Sequence, residues 1–410
     1  MRLDAVDEID EIALHGDGHS LLAIARGRLF LLPGLWSGPA LQLGMTDGAR
    51  YSCAGFTNTG RVICAECATN GEWHLVGFDT QRGGHDSPTR VSLRGAEALG
   101  EPTELAPSPE GSQVAVATHD LRLLLVEPYK GVATRLDVAE HEGGIFDLAW
   151  SADGKWLAYA VSTALGARTS AIRIVHVDRA KPIHVTDGKF RDTSPSWDPA
   201  GRYLAFLSSR VLRATEDQIF WQLNFARAQR PYLCMLIDSA ADPMRPPPRP
   251  PGWEAEDDQD DDEEEPDDEI PEVVVQQAGL AQRLLPVPLP PARLEKLSVL
   301  WDDVLIFTQL HHGEDDPSEP PEAAGGGGPE DEGTMMRYDL SSGRVTSLVE
   351  GVIEYTLSAD LATVCMMVDE GGELSVRAFE AGSKPPEQDD DDEDIDPDRS
   401  AERSPFKPRL

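Results

Sequence analysis

The chain has 410 residues, of which 40% are hydrophobic, and its formal net charge is -37 at pH 7. The hydrophobic content is sufficient for a globular core, and the length leaves one to three domains open because repeat folds are long. The strong negative balance argues against nucleic acid or an anionic membrane as a partner, because both would be repelled.

The excess of acidic residues is confined to three windows without Lys or Arg: 254–272 with 14 acidic residues, 314–332 with 8 and 387–398 with 9. Without these 31 residues the net charge would be -6, an ordinary value for a soluble domain. We therefore predict three disordered acidic segments, namely an insert over 243–272, a Gly-rich loop over 311–333 and a tail over 385–410.

The first residues, MRLDAVDEID, carry charges where a signal peptide needs an apolar run, and no apolar stretch is long enough to span a membrane. The five cysteines are scattered and odd in number, which fits reduced thiols rather than a disulfide framework. Both observations predict a cytoplasmic protein.

One signature recurs in chain order: a polar turn, usually with Asp-Gly, precedes an apolar strand and a second strand that ends near Asp. The clear copies are HGDGHSLLAIARGRLFLLP (15–33), TNTGRVICAECATNGEWHLVGFD (57–79), SPEGSQVAVATHDLRLLLVE (108–127), SADGKWLAYAVSTALGARTSAIRIVHVD (151–178) and DPAGRYLAFLSSR (198–210). An irregular stretch (211–231) and a strand (232–237) complete the fifth copy before the acidic insert. Two weaker copies follow, SVLWDDVLIFTQL (298–310) and SADLATVCMMVDEGGELSVRAF (358–379).

The turn glycines of the clear copies recur 42, 51, 43 and 47 residues apart; they are Gly18, Gly60, Gly111, Gly154 and Gly201. Such spacing matches the roughly 40–50 residues of a four-stranded propeller blade, and glycine permits the positive φ that these turns need. We therefore predict an all-β fold, a seven-bladed β-propeller over residues 1–384. Its blades should begin near residues 10, 50, 102, 144, 191, 294 and 352.

The candidate metal ligands are few. Cys64 and Cys67 form the only C-x-x-C motif, but a zinc site needs a second pair of ligands, and on a strand these two side chains point to opposite faces. His311 and His312 precede acidic residues in a flexible loop, which gives a metal no fixed geometry. The acidic runs lack the glycine and ligand spacing of an EF-hand. We therefore predict no metal and no cofactor.

No set of catalytic residues can be assembled. His141-Glu142 has no second histidine at the spacing of a zinc peptidase, and no G-x-S-x-G, P-loop or dinucleotide-binding motif occurs. Ser108, Ser151 and Ser358 lie in Asp-rich turns, where we expect them to bond to local backbone rather than to act as nucleophiles.

One basic and aromatic cluster, FARAQRPYL (225–233), lies beside the irregular stretch of the fifth copy. Its neighbourhood contains Arg213, Arg227 and Arg230. These arginines either contact a peptide C-terminus or pair with nearby carboxylates on the surface, and we favour the second interpretation.

Five stretches carry a more specific pattern than the turn signature. They are GKFRDTSPSWDPAGRYLAFLSSR (188–210) with NFARAQRPYL (224–233), the opening RLDAVDEIDEIALHGDGHSLLAIARGRLF (2–30), HEGGIFDLAWSADGKWLAYA (141–160), and PVPLP (286–290) after the acidic insert. Together they resemble the second, seven-bladed propeller of the tricorn protease family. The resemblance reaches about residue 380 and is most specific in the fifth blade, since any TolB-like propeller shares the turn. Residues 211–223 depart from the family pattern.

The resemblance implies part of a large cytosolic serine peptidase that acts downstream of the proteasome and assembles as a hexameric toroid. In that family this propeller acts as the channel through which peptides reach the active site, and the catalytic Ser, His and Glu lie in core domains after it. The present sequence ends at Leu410 without those domains, so no catalytic residue is carried over.

We therefore expect a tricorn protease-like, non-catalytic module that admits or binds short peptides for a cytosolic serine peptidase complex. Two alternatives stay open: a subunit or fragment of an active tricorn-type serine peptidase with its core encoded elsewhere, and a free-standing propeller scaffold for a protein partner. Whether the chain is part of an enzyme is thus left open. The expected partners are short peptides or a peptidase core, with a homo-oligomer also open, and neither nucleic acid nor a membrane.

Overall fold

A computed structural model describes residues 9–34, 40–44, 48–79, 89–91, 99–164, 169–211, 215–216, 223–224, 227–245, 271–310, 333–369 and 374–385. Across these ranges the regular structure is almost entirely β, and the one short 3-10 turn spans Leu280–Gln282. None of the described ranges contains a helix with the length and apolar character needed to cross a membrane. Most of the three acidic segments, with His311 and His312, lies outside the described residues, so what we expect of them stays a prediction.

The strands form antiparallel sheets that follow one another along the chain. The first sheet contains β1 (Ile9–Leu14), β2 (Leu21–Ala25), β3 (Arg28–Leu32) and β4 (Leu41–Leu43). The second contains β5 (Arg50–Phe56), β6 (Val62–Cys67), β7 (Trp73–Phe78) and β8 (Thr89–Val91). The third contains β9 (Pro102–Pro107), β10 (Val114–Thr118), β11 (Arg122–Glu127) and β12 (Val132–Val138). The fourth contains β13 (Ile145–Trp150), β14 (Trp156–Ser162), β15 (Ser170–His176) and β16 (Lys181–His184).

The last two sheets are less regular. In the segment expected to be irregular, β19 (Thr215–Glu216) and β20 (Leu223–Asn224) pair as a short hairpin. The fifth sheet contains β17 (Asp192–Trp197), β18 (Tyr203–Ser208), β21 (Arg230–Met235) and β22 (Leu284–Pro286). The short hairpin lies between β18 and β21 along the chain. The acidic insert thus separates β21 from β22. The sixth sheet has six strands: β23 (Leu294–Val299), β24 (Val304–Leu310), β25 (Gly333–Asp339), β26 (Val345–Leu357), β27 (Thr363–Asp369) and β28 (Leu374–Glu380).

The prediction of seven separate four-stranded sheets is therefore only partly correct. The all-β propeller architecture is confirmed, but the described strands form six principal sheets, five with four strands and one with six. The reason is β26, whose 13 residues pair with β25 at one end and with β27 at the other. The seventh predicted start, near residue 352, falls inside this continuous strand.

In three repeats the turn between the first two strands uses the same bonds. In the fourth sheet, the N–H of Gly154 donates to the carbonyl oxygen of Ser151 at 2.9 Å, and the Ser151 Oγ accepts from the N–H of Trp156 at 3.0 Å. Ser108 and Ser358 accept from the amide five residues later in the same way. These three serines thus bond to local backbone, as the sequence predicted.

The core lies between neighbouring sheets rather than inside one layer. Most apolar clusters combine strands of two neighbouring sheets, as Leu123 of the third sheet and Tyr159 of the fourth do, while one lies within the six-stranded sheet. The first and last sheets also share a cluster, in which Leu21 packs with Cys365 and Val376. The described residues show no strand shared by those two sheets, so side-chain packing closes the ring.

Candidate functional site

The innermost strands place one residue of each repeat at a fixed distance from the turn. Seven turn residues have positive φ, namely Gly18, Gly60, Gly111, Gly154, Gly201, Asp303 and Leu361. The residue seven positions before each of them lies on an innermost strand; these are Glu11, Cys53, Glu104, Asp147, Ser194, Lys296 and Glu354. We call these seven positions the axial ring, because the innermost strands contact one another in succession around the propeller axis.

A β-bulge shapes the strand at the axial ring. The register shifts at this point in β5, β13, β17 and β23, and the residues with positive φ are Cys53, Asp147, Ser194 and Lys296. A bulge leaves backbone N–H groups without a partner in the ladder and redirects the local side chain. The freed amides therefore need another acceptor.

Carboxylates of the axial ring supply that acceptor across the boundary between sheets. The bonds join Glu11 to the amides of Cys53 at 2.9 Å and Ala54 at 3.1 Å, Glu104 to the amide of Leu148 at 2.7 Å, and Asp147 to the amide of Ser194 at 2.7 Å. Each carboxylate thus binds the bulge of the following repeat. Charge-assisted bonds of this kind fix both the carboxylate and the neighbouring strand.

Lys296 brings a positive charge into this group of carboxylates. Its Nζ lies 3.6 Å from Glu354 Oε1 and 5.1 Å from the centre of the Tyr355 ring. The same ammonium interacts electrostatically with Glu11, Glu104 and Asp147. Because these four carboxylates belong to four different innermost strands, Lys296 must lie near the axis that the strands surround.

Burial changes the protonation of the axial carboxylates. Burial raises the pKa of Glu104 to about 7, with a further increase from the nearby Asp147, although the amide of Leu148 and Lys296 oppose it. Burial likewise raises the pKa values of Glu11 and Asp147 above their usual range. Glu104 can therefore carry a proton near neutral pH, and the axial ring combines acceptors, a donor and an ammonium group.

The residues that the sequence singled out do not join the axial ring. Cys64 is fully buried on β6, and Cys67 is half-buried at the end of that strand; both are free thiols. Arg230 begins β21 with its Nε buried and without a hydrogen-bond partner, whereas Arg227 is exposed and Arg213 lies outside the described residues.

The turn before β13 contains His141, whose carbonyl oxygen accepts from the amide of Gly144 at 3.0 Å, and Glu142 is exposed there. Neither residue belongs to the axial ring. Sequence reasoning missed the ring because its position holds five different residue types, Glu, Asp, Cys, Ser and Lys. Counting back seven residues from each turn would have found it.

Comparison with known proteins gives one consistent result. The family described as "Tricorn protease second beta propeller domain" matches residues 9–378. The "Tricorn protease homolog 1" of Streptomyces coelicolor is 32% identical over 83% of this chain and 31% of its own length. The "Putative Tricorn-like protease C-terminal subunit" of Sulfurisphaera tokodaii is 31% identical over 53% of this chain and 24% of its own length.

The comparison with solved structures also finds a tricorn protease. A crystal structure of the tricorn protease superposes with a TM-score of 0.73 at 20% identity, over 92% of this chain and 33% of that one. The chain spans less than a third of the length of either curated relative.

Proposed function

Because the chain belongs to the family of tricorn protease second β-propeller domains, we propose that it is a non-catalytic, cytoplasmic module that admits or binds short peptides for a serine peptidase. The observation that carries this proposal is the axial ring, where four carboxylates and Lys296 converge from separate strands. A peptide backbone offers both donors and acceptors, and a ring with both kinds of partner is suited to it.

We further propose that the six-stranded sheet comprises two blades, which gives seven in total. Its apolar cluster supports this division, because Ile306 of β24 and Met366 of β27 belong to one cluster although two strands separate them in the sheet. In a single flat sheet such strands would lie roughly 14 Å apart. The β-bulge between Val352 and Glu354 supplies the bend.

The charge of the axial ring favours one end of a peptide. Even with Glu104 protonated, the carboxylates of Glu11, Asp147 and Glu354 outnumber the single ammonium of Lys296 among the described ring residues. An α-ammonium group or a basic side chain is attracted to this environment, whereas a terminal carboxylate is repelled. We therefore propose that peptides enter or bind with a free N-terminus at the ring.

Fluorescence anisotropy with C-terminally labelled peptides of about three to ten residues tests this function. A free-amine peptide should bind more tightly than its acetylated copy. The variant Asp147→Asn, which keeps the shape of the side chain, should reduce that preference by about tenfold, as expected for one charge-assisted bond. The matched control is Glu127→Gln, which removes a carboxylate paired with Lys130 at an outer turn.

Each outcome decides one part of the proposal. Absence of binding by any peptide overturns peptide binding, and binding that Asp147→Asn leaves unchanged overturns the axial ring as its site. Mass spectrometry of the same mixtures should detect no hydrolysis products. Cleavage that survives repeated purification would overturn the non-catalytic role.

The second candidate is a subunit of an active peptidase whose core is a separate chain. One relative is itself named a C-terminal subunit, which favours a divided enzyme in at least that lineage. Under this candidate the propeller should copurify from its source cells with a chain that hydrolyses peptides. Copurification with a partner lacking that activity would instead favour the scaffold alternative.

A further inference from the structure

Two imidazoles and one carboxylate converge in the first turn of the propeller. This turn joins β1 to β2 and reads His15-Gly16-Asp17-Gly18-His19. The Nδ1 atoms of His15 and His19 both contact the same oxygen, Asp17 Oδ1. The three potential ligand atoms lie within 4.8 Å of one another, and the two imidazole centres are 4.5 Å apart.

The corresponding turns of other repeats show which part of this arrangement the fold itself requires. In the fourth sheet, Ser151 Oγ donates to Asp153 Oδ1 at 2.6 Å, so a contact between the first and third turn residues belongs to the turn. His15 and Asp17 take these two positions. The fifth position holds His19 in the first turn but Lys155 and Ala362 in two others, and those turns close without an imidazole there. His19 therefore adds a ligand that the turn does not need.

The first of the three ligands, His15, is held in place before any ion arrives. The His15 side chain is only 16% exposed and packs edge-on against Phe56, with ring centres 4.9 Å apart. Its backbone N–H donates to the carbonyl oxygen of Ser20 at 2.8 Å, and the amide of Gly18 donates to that of His15 at 2.9 Å. Fixed ligands of this kind reduce the cost of assembling a metal site.

One side of the cluster opens into a cavity of about 440 Å³. His15 and His19 line it together with Asn58 and Thr59 of the next repeat's turn. Water or a small ligand with oxygen or nitrogen donors can therefore approach the cluster from this side.

We propose that His15, Asp17 and His19 bind a divalent transition-metal ion of the type of Zn²⁺, Ni²⁺ or Cu²⁺. Two imidazole nitrogens with one carboxylate select such ions over Ca²⁺ and Mg²⁺, which prefer oxygen ligands. The ion would take the place of the direct contacts that now join both imidazoles to Asp17. Three protein ligands leave at least one coordination position open, which water or a small ligand from the cavity could fill. The sequence analysis predicted no metal; it considered Cys64, Cys67, His311, His312 and the acidic runs, and did not single out His15 and His19.

Isothermal titration of the full chain with ZnCl2 tests the site, followed by Cu²⁺ with electron paramagnetic resonance to count nitrogen ligands. The wild type should bind one Zn²⁺ more tightly than the acidic segments do, and its Cu²⁺ spectrum should show two nitrogens. His19→Ala removes an exposed ligand and should weaken this binding at least tenfold. Asp17→Asn should weaken it similarly. The control is the double variant His311→Ala and His312→Ala, which should bind like the wild type.

The outcomes distinguish the site formed by His15, Asp17 and His19 from the other metal ligands of the chain. Loss of the tight Zn²⁺ site in the His311 and His312 variant, or its full retention in His19→Ala, would overturn the proposal. A wild type without a tight site would also overturn it. Unchanged circular dichroism of each variant establishes that a loss of affinity reflects a lost ligand rather than unfolding.

Discussion

At the scale of single residues, the axial carboxylates have two roles that place opposite demands on their charge. Bonding to a bulge amide favours the ionised form, while burial favours the neutral form. In both Glu104 and Asp147 burial is the larger effect, and the pKa of each carboxyl is raised although a backbone amide bonds to it. One ring therefore holds three carboxyl groups whose pKa values are raised by burial.

The raised pKa of Glu104 predicts a pH-dependent part of the stability. Folding raises this pKa from 4.5 to about 7, so the folded state binds the proton more tightly than the unfolded chain does. The stabilisation is complete below pH 4.5 and is lost as the pH rises through about 7. Glu104→Gln lacks this contribution. Between pH 5 and pH 8, the free energy of unfolding of the wild type should fall relative to this variant by roughly 1–2 kcal/mol, after allowance for solvent screening.

Urea unfolding at both pH values measures this difference. The control Glu127→Gln should keep the wild-type dependence on pH, because it removes a carboxylate far from the ring. Equal pH dependence of the wild type and Glu104→Gln would show that Glu104 stays ionised throughout.

At the scale of strands, β26 differs from every other described strand because two repeats use it. It changes partner near Gly351, which has a φ of 74°. A Cβ atom there would lie 2.3 Å from the carbonyl oxygen of Asp369 on β27, too close for any side chain. Glycine is therefore required twice at this position, for the backbone conformation and for the close approach.

The variants Gly351→Ala and Gly71→Ala separate these two requirements. Gly71 also has a positive φ, 82°, but a Cβ atom there would meet nothing within 4 Å. We expect Gly71→Ala to reduce the free energy of unfolding by about 1–2 kcal/mol, the cost of a left-handed alanine. Gly351→Ala should cost at least about 2 kcal/mol more, because the backbone of β27 must move. If chemical denaturation gave the same loss of unfolding free energy for both variants, the close approach of Gly351 to Asp369 would be contradicted.

The strands also show which features of the fold could be predicted from the sequence and which could not. The turn glycines were recognisable because only a residue tolerant of positive φ suits those turns, and six of the seven expected repeat starts coincide with the start of a separate sheet. The continuity of β26 was not recognisable, because VTSLVEGVIEYTL has a plausible break at its glycine. The axial ring was missed since Glu104, Cys53 and Lys296 share a position but no chemical property.

At the scale of the whole molecule, closure of the ring depends on packing between its first and last sheets. Backbone contact there is slight: the amide of Asp360 donates to the carbonyl oxygen of Gly16 at 3.3 Å. The apolar cluster around Leu21, Cys365 and Val376 therefore provides most of the closing contact among the described residues.

Truncation of one buried leucine at this boundary and one elsewhere tests the closure. Leu21 is 2% exposed in the closing cluster, and Leu124 is fully buried between the second and third sheets. Leu21→Ala and Leu124→Ala should each lower the free energy of unfolding by about 2–5 kcal/mol. A loss below about 1 kcal/mol for Leu21→Ala alone would indicate that the first and last sheets do not pack in solution.

Because two repeats share β26, new chain termini cannot be introduced equally well at every junction between repeats. Between most repeats the polypeptide passes through a loop, as between β16 and β17, and circular permutation with new termini in such a loop would leave every sheet intact. Between the last two repeats the same operation would cut β26, whose halves bond to β25 and to β27. Rearranged or split versions of this propeller should therefore keep its final two repeats on one uninterrupted polypeptide.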